Sequence, residues 1–302
     1  MIMKYLLSIL VLILLSNPVH SQEDLLKELE ASQPEETDYT IQTFKGTRIG
    51  NGHSVETKPQ GALEFIINHR FGALYESENL YGLDYAFIRL GLEYGITNNL
   101  GIGVGRSSLT KEYDSYLKYK VLKQSSGAHS FPFTMTLFGG FYYINSHTGI
   151  YESYTSQDRM AYAAQALIAR KFSPAISFQI SPTLLHRNAV NQDEAVNDLF
   201  ALGFGGKIKI TRSVSLNLEY YARVNEKEDN PYYNPYAVGI DIETGGHVFQ
   251  MVFTNSTGAM ERLMLTQTGD PLSDEHPNPI HFGFNITRTF QLTHKSGKKS
   301  AY

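Results

Sequence analysis

The sequence predicts an all-β fold, an antiparallel up-and-down transmembrane β-barrel of about 12 strands behind a short N-terminal leader. Three observations predict it. Hydrophobic residues recur with period two from Gly61 onward, the connections alternate between long polar loops and tight turns, and the chain opens with an export signal. The stretch from Tyr85 to Arg106 shows the pattern in miniature. Ala86, Ile88, Leu90, Leu92 and Tyr94 share one side, with Phe87, Arg89, Gly91 and Glu93 on the other; the return sets Leu100, Ile102 and Val104 against Gly101, Gly103 and Gly105. Thr97-Asn98-Asn99 supplies the turn.

The export signal is residues 1–21. Lys4 precedes an apolar run from Tyr5 to Leu15, and a short polar end closes on Ser21, so cleavage is expected before Gln22. The run is well short of the ~20 residues that a membrane-spanning helix needs. No other stretch approaches that length, so a membrane crossing falls to strands.

Residues 22–58 form a leader or plug segment on the periplasmic side. Leu25, Leu26 and Leu29 can share one side of two helical turns, and an acidic stretch containing Pro34 follows. This composition favours a flexible leader over a plug docked in the barrel. The segment Thr43 to Ser54 lacks the Gly-Lys-Ser/Thr ending of a phosphate loop and reads as a polar, turn-rich stretch that can reach into the lumen.

The barrel itself is residues 59–292, with strands expected near 61–71, 84–94, 100–106, 112–122, 131–142, 159–170, 175–186, 199–210, 214–223, 236–243, 247–255 and 279–292. Most have the ~9 to 11 residues of a tilted membrane strand. Long connections alternate with short ones, except for a short loop near Ser107 to Thr110, and this asymmetry places the tight turns and both termini in the periplasm. The expected location is the outer membrane of a Gram-negative bacterium. A polar, lysine-rich tail, residues 293–302, follows the last strand, where barrels of this kind usually end on an aromatic residue.

The two faces must then be assigned. A closed barrel of twelve strands has a radius of roughly 12 Å, too wide to fill with leucine and isoleucine side chains alone, so the apolar face is assigned to lipid and the polar face to the lumen. Phe200, Leu202 and Phe204, or Phe282, Phe284 and Ile286, exemplify the lipid face. Arg170 and Arg288 lie on it near the turn end, where a long cation reaches headgroups. The lumen-lining candidates are Glu64, Arg70, Arg89, Glu93, Glu112, Asp114, Lys118, Lys120, Lys207, Lys209, Glu219, Arg223, Asp241 and Glu243, seven of each sign. Mixed signs predict cross-strand pairing and either an occluded interior or a narrow pore without strong ion selectivity. On this assignment Leu90→Arg damages assembly far more than Arg89→Leu.

Composition excludes several classes. With 42% hydrophobic and 19% charged residues and a formal net charge of −4, the chain is neither disordered nor suited to nucleic acid. No cysteine is present, which excludes disulfides, thiolate zinc sites and thiol catalysis. His69, His186, His247 and His281 sit on strands or at strand ends, with Ser107, Ser181 and Ser215 as available hydroxyls, yet no Gly-x-Ser-x-Gly elbow selects a triad. No His-Glu-x-x-His motif occurs, and the acidic loops 191–194 and 226–230 lack the calcium-loop pattern, so neither metal nor cofactor is expected. Gly101, Gly103 and Gly105 alternate in a strand and open no helix, unlike a dinucleotide fingerprint. Gly258 to Leu265 can form a short helix, more simply a surface cap than a constriction in the mouth.

Three stretches carry a family resemblance: Thr43 to Arg48 with Asn51 to Glu56, Arg89 to Ile96, and Ile242 to Gln250. They resemble an uncharacterised family of bacterial outer-membrane β-barrels, a domain of unknown function, and the likeness covers about Leu25 to Leu292. It implies an outer-membrane barrel and supplies no catalytic residues. The function expected is passage of small polar solutes through a narrow or gated pore, ahead of a non-conducting scaffold for a periplasmic or surface protein partner, and ahead of a lipid-modifying enzyme. The protein is not expected to be an enzyme, and its expected contacts are outer-membrane lipid and a small polar solute, not nucleic acid.

Overall fold

The computed structural model describes residues 36–244, 247–270 and 273–293. The export signal expected at residues 1–21, residues 22–35 of the expected leader and the expected tail from His294 lie outside the described residues. Twelve strands form one closed sheet: β1 Ala62–Ala73, β2 Ala86–Gly95, β3 Leu100–Ser107, β4 Tyr113–Leu122, β5 Thr134–Tyr143, β6 Met160–Lys171, β7 Ile176–Arg187, β8 Asp198–Lys209, β9 Val214–Arg223, β10 Tyr236–Thr244, β11 His247–Thr254 and β12 His281–Gln291. Each pairs antiparallel with its neighbour in sequence, and β12 closes on β1 through pairs such as Ile286 with Ile67, leaving no free edge. The described chain divides into a large unit, 39–125 with 131–293, and a small one that includes 36–38 and 126–130; the short strands Thr37–Tyr39 and Ser125–Gly127 pair as a separate two-stranded sheet.

Alternation along each strand sorts the side chains as the pleat demands. On β3 the glycines at 101 and 103 face inward while Ile102 and Val104 are exposed on the outside; on β2 Leu90 is 48% exposed and Arg89 only 2%. The outward cations sit against rings at the strand ends, Arg288 over Phe290 at 4.8 Å and Arg170 over Phe172 at 5.2 Å, the arrangement of an interfacial anchor. The ladder is irregular at three places: the register shifts between His281 and Gly283 where β12 meets β1 and between Lys120 and Leu122 where β4 meets β5, and a third lies between β6 and β7. The β6–β7 ladder lapses between the pairs Gln165–Thr183 and Ile168–Ile180, where Pro182 has no N–H to donate.

Arg89 is more than a lumen charge. Its guanidinium donates to both oxygens of Asp114, at 2.9 and 2.5 Å, across the gap left by Gly105, where a Cβ would lie 2.4 Å from Arg89 Nη2. Removing it strands a buried carboxylate, at a cost on the order of 3–5 kcal/mol. The mild outcome that the sequence suggests for Arg89→Leu is therefore replaced. Lys209, half-buried and without an ion-pair partner among the described residues, is the better inward control. Leu90→Arg is expected to lower stability by about 2–4 kcal/mol. Lys209→Leu should change little, and urea unfolding in detergent distinguishes the two.

Candidate functional site

The lumen is filled by two pieces of chain. From the turn side, residues 43–56 run into the barrel as a hairpin, and from the loop side a helix, α1 Glu261–Thr266, is buried along its whole length within the 255–280 connection. Over residues 43–56 the flexible leader gives way to the plug and the reach of Thr43 to Ser54 into the lumen is met, while the surface cap favoured for 258–265 is replaced by a buried helix. The reason is the radius that the sequence already implied: a twelve-stranded wall leaves a space about as wide as a hairpin, and water in it would leave the apolar inward residues of β5 to β8 wet. Phe44, Ile49 and Val55 of the hairpin and Leu263, Met264 and Leu265 of the helix join Phe138, Leu167, Leu185 and Leu199 of the wall in one buried cluster.

The hairpin closes through Arg48 and His53, with Ile49 N–H donating to the Gly52 carbonyl at 3.0 Å and Ser54 N–H to the Thr47 carbonyl at 2.9 Å. Its tip, Ile49-Gly50-Asn51-Gly52, turns three N–H groups on the carboxylate of Glu219: Gly50 at 2.8 Å, Asn51 at 3.1 Å and Gly52 at 2.9 Å. Successive amides that converge on one anion form a nest, here occupied by a wall side chain. Gly52 has no alternative at this place, because a Cβ would stand 2.2 Å from Tyr221 Oη.

Other inward residues satisfy the rest of the hairpin. Gln179 accepts from Val55 N–H at 2.7 Å and donates to the His53 carbonyl at 2.8 Å; Thr136 donates to the Val55 carbonyl at 2.7 Å; Asn285 and Gln250 donate to the carbonyls of Gly50 and Ile49 at 2.8 and 2.5 Å. A chain segment without long secondary structure is thereby buried with its backbone paired, as burial requires.

The fourteen charged candidates divide by what they touch. Arg70 donates to Asn51 Oδ1 at 2.7 Å, Glu64 accepts from Thr47 at 3.1 Å and pairs with Lys58 at 2.5 Å, and Lys207 donates to the Thr43 carbonyl at 2.5 Å. Lys118 donates to the Glu56 carbonyl, Lys120 lies 3.5 Å from the Glu56 carboxylate, and Glu243 pairs with Lys45 at 2.5 Å. With Glu219, seven of the fourteen hold the hairpin directly; Asp241 acts one step back, accepting from Gln250 at 2.6 Å. Glu93 accepts from Tyr116 at 2.9 Å, Glu112 pairs with Arg262 of α1 at 2.6 Å, and Arg223 binds the outer loop through Glu226 at 3.4 Å. Only Arg89 and Asp114 make the strand-to-strand pair that the sequence suggests for the set, while Lys209 stays near the turn end.

Hairpin and helix meet in the middle. Arg48 Nη1 donates to the Ala259 carbonyl at 3.1 Å, His53 Nε2 lies 3.8 Å from Glu261 Oε1, and Tyr142 donates to Glu261 Oε2 at 2.7 Å. Burial first, then the charges of Arg48, Lys118 and Arg89, hold the imidazole of His53 well below its ordinary pKa, so it is neutral at neutral pH. Several polar atoms at this junction have no hydrogen-bond partner: both ring nitrogens of His53, Nε and Nη2 of Arg48, Oε1 of Glu261 and Oε1 of Glu93. Between hairpin and wall, the cavity lined by Arg48, Asn68, Asp241 and Gln250 measures about 10 Å³, room for about one water. The lumen is shut.

Of the hydroxyls and histidines singled out by the sequence, Ser181 accepts from Gln179 at 2.9 Å beside the hairpin, whereas His186 stands apart from this centre. His186 Nδ1 lies 2.7 Å from Asp198 Oδ1 at the loop-side rim, and among the described residues no serine or threonine hydroxyl hydrogen-bonds to it. Among the described residues no group of His, Asp and Glu side chains is placed to hold a metal ion.

A closed, two-faced barrel whose interior is polar and whose exterior is apolar defines a membrane β-barrel. The chain belongs to the family described as membrane bound beta barrel domain (DUF5777), whose model matches residues 44–290, so the hairpin from Phe44 onward lies within the family's domain. Among solved structures it is similar to the KdgM porin, at 7% identity and TM-score 0.45 over 76% of this chain and 99% of that one. It is also similar to a mutant Rh. blastica porin, at 11% identity and TM-score 0.33 over 68% and 55%, and to LpxR from Salmonella typhimurium, at 11% and 0.34 over 76% and 99%. A comparison with curated proteins finds no match.

Proposed function

We propose that this is an outer-membrane barrel that passes small polar solutes when the 43–56 hairpin withdraws, and that the shut form is its resting state. The observation that carries the reading is the chemistry of the hairpin's seat. It is held chiefly by hydrogen bonds and ion pairs to wall side chains, groups that water satisfies nearly as well, and the junction with α1 leaves polar atoms unpaired that hydration would satisfy. Withdrawal thus exchanges polar partners for water and exposes a wall carrying both signs of charge, which predicts weak ion selectivity. The export signal and the period-two, lipid-facing exterior support the outer membrane as the location.

Planar-bilayer recordings test it. The intact chain should be silent, and a variant lacking residues 43–57 but shown to fold by its heat-dependent gel shift should conduct, with little preference between cations and anions. Steady conductance from the intact chain would contradict the shut resting state. A folded, silent deletion variant would replace the pore with a non-conducting scaffold that acts through its outer loops.

A further inference from the structure

At the outer mouth, beside α1 and away from the hairpin, a cavity of about 120 Å³ opens between the loops. Ile144 and Met160 line its wall, and Tyr151, Tyr154 and Tyr232 contribute rings, the first two 5.5 Å apart and edge to face. Tyr151 is fixed in place, its hydroxyl accepting from Gln267 at 2.8 Å. Two guanidinium groups reach the cavity and differ in one respect. Arg262 is neutralised by Glu112 at 2.6 Å, whereas Arg187 makes no ion pair with a carboxylate among the described residues. Arg187 donates Nη2 to the Val196 carbonyl at 2.7 Å, and its Nε is buried without a partner. Glu226, on the neighbouring loop, is the carboxylate whose charge acts most on Arg187, but its ion pair is with Arg223 at 3.4 Å and its Oε1 is buried without a hydrogen-bond partner.

Two carboxylates also border the cavity. Asp158 is turned to Thr155, accepting from its N–H at 2.8 Å and its hydroxyl at 2.7 Å, and Glu194 is exposed at the rim. Neither neutralises Arg187. An arginine with an unpaired, buried N–H at the side of an aromatic-lined cavity calls for an anion with a flat apolar body, because the fork of the guanidinium matches a carboxylate and tyrosine faces match a ring.

We propose that the outer-mouth cavity is a binding site for small organic anions that carry a carboxylate on a ring, with the carboxylate on Arg187 and the ring among Tyr151, Tyr154 and Tyr232. The site stands apart from the hairpin and holds whether or not the barrel opens. Isothermal titration of the full chain in detergent micelles tests it with three probes: benzoate, its neutral counterpart benzyl alcohol, and acetate, which has no ring. Benzoate should bind saturably at one site, with the other two about tenfold or more weaker. Arg187→Gln should weaken benzoate by about tenfold or more, as the loss of a charge-assisted hydrogen bond requires, and Tyr232→Leu should weaken it without that charge being touched. The lipid-facing control Arg170→Gln should bind as the parent does. If Arg187→Gln does not fold by gel shift, the Tyr232→Leu result and the benzoate to benzyl alcohol ratio decide. Absent saturation, equal affinity for benzoate and benzyl alcohol, or unchanged binding in folded Arg187→Gln and Tyr232→Leu would overturn the site.

Discussion

Replacing Glu219 with alanine unseats the hairpin tip. Three buried N–H groups, those of Gly50, Asn51 and Gly52, lose their acceptor together, and each unsatisfied buried donor costs about 1–3 kcal/mol. The expected loss of seating free energy is at least about 3 kcal/mol, read as a rise of about 100-fold or more in amide hydrogen exchange over residues 49–55. Glu219→Gln keeps one oxygen acceptor and should recover part of the protection. Exchange rates equal to the parent's in the alanine variant would mean that the tip is held by its apolar neighbours Ile49 and Val55 and not by the carboxylate.

Arg262→Leu acts from the other mouth. Its partner Glu112 has a fully buried side chain, so truncating the arginine leaves an uncompensated carboxylate beneath α1, at a cost of about 3–5 kcal/mol. The gel-shift temperature of the barrel in detergent should fall, and the exchange of Leu263 to Leu265 should rise. The pair Arg262→Leu with Glu112→Leu should recover most of the loss, because replacing both charges removes the stranded one. A single variant as stable as the parent, or a double variant no better than the single one, would show that α1 is held by Leu263 and Met264 alone.

How much of this was legible in the sequence depended on how local each signal is. The wall was readable because period two is a property of neighbouring residues: Leu90 and Arg89 announce their opposite faces within two positions, and a slip of one residue would put every leucine of β2 in the lumen. The turns were readable for the same reason. The hairpin was not, because what seats it is remote. Glu219 is 167 residues from Gly52, and Gln179 is 124 from Val55, so the polar, turn-rich stretch shows that it can reach into the lumen but not what holds it there. One signal pointed the right way. Fourteen inward charges of balanced sign in a lumen wider than leucine can fill need partners, and the wall alone supplied one pair. For α1, the run Leu263-Met264-Leu265 beside Glu261 and Arg262 is too apolar for a surface cap, but placing it inside required the buried partners Glu112 and Tyr142, more than 110 residues away.

The arginine of the outer cavity was missed for another reason. Arg187 follows His186 at a strand end, and nothing in its neighbourhood distinguishes a paired cation from an unpaired one. The contrast with Arg262 exists only once the loops that carry Glu112, Glu226 and Tyr232 have been brought to the same mouth.

A lumen sealed around the hairpin protects the hairpin's side chains from reagents, and the chain's lack of cysteine allows that protection to be measured cleanly. Ser54 is fully buried on the hairpin and Ser213 is exposed in a turn, so Ser54→Cys and Ser213→Cys can each be reacted with a charged maleimide in detergent micelles, where both mouths face the reagent. With the hairpin seated, Ser54→Cys should react about 100-fold or more slowly than Ser213→Cys, the protection that a local opening free energy of about 3 kcal/mol provides. Equal labelling rates at the two positions would contradict a sealed lumen.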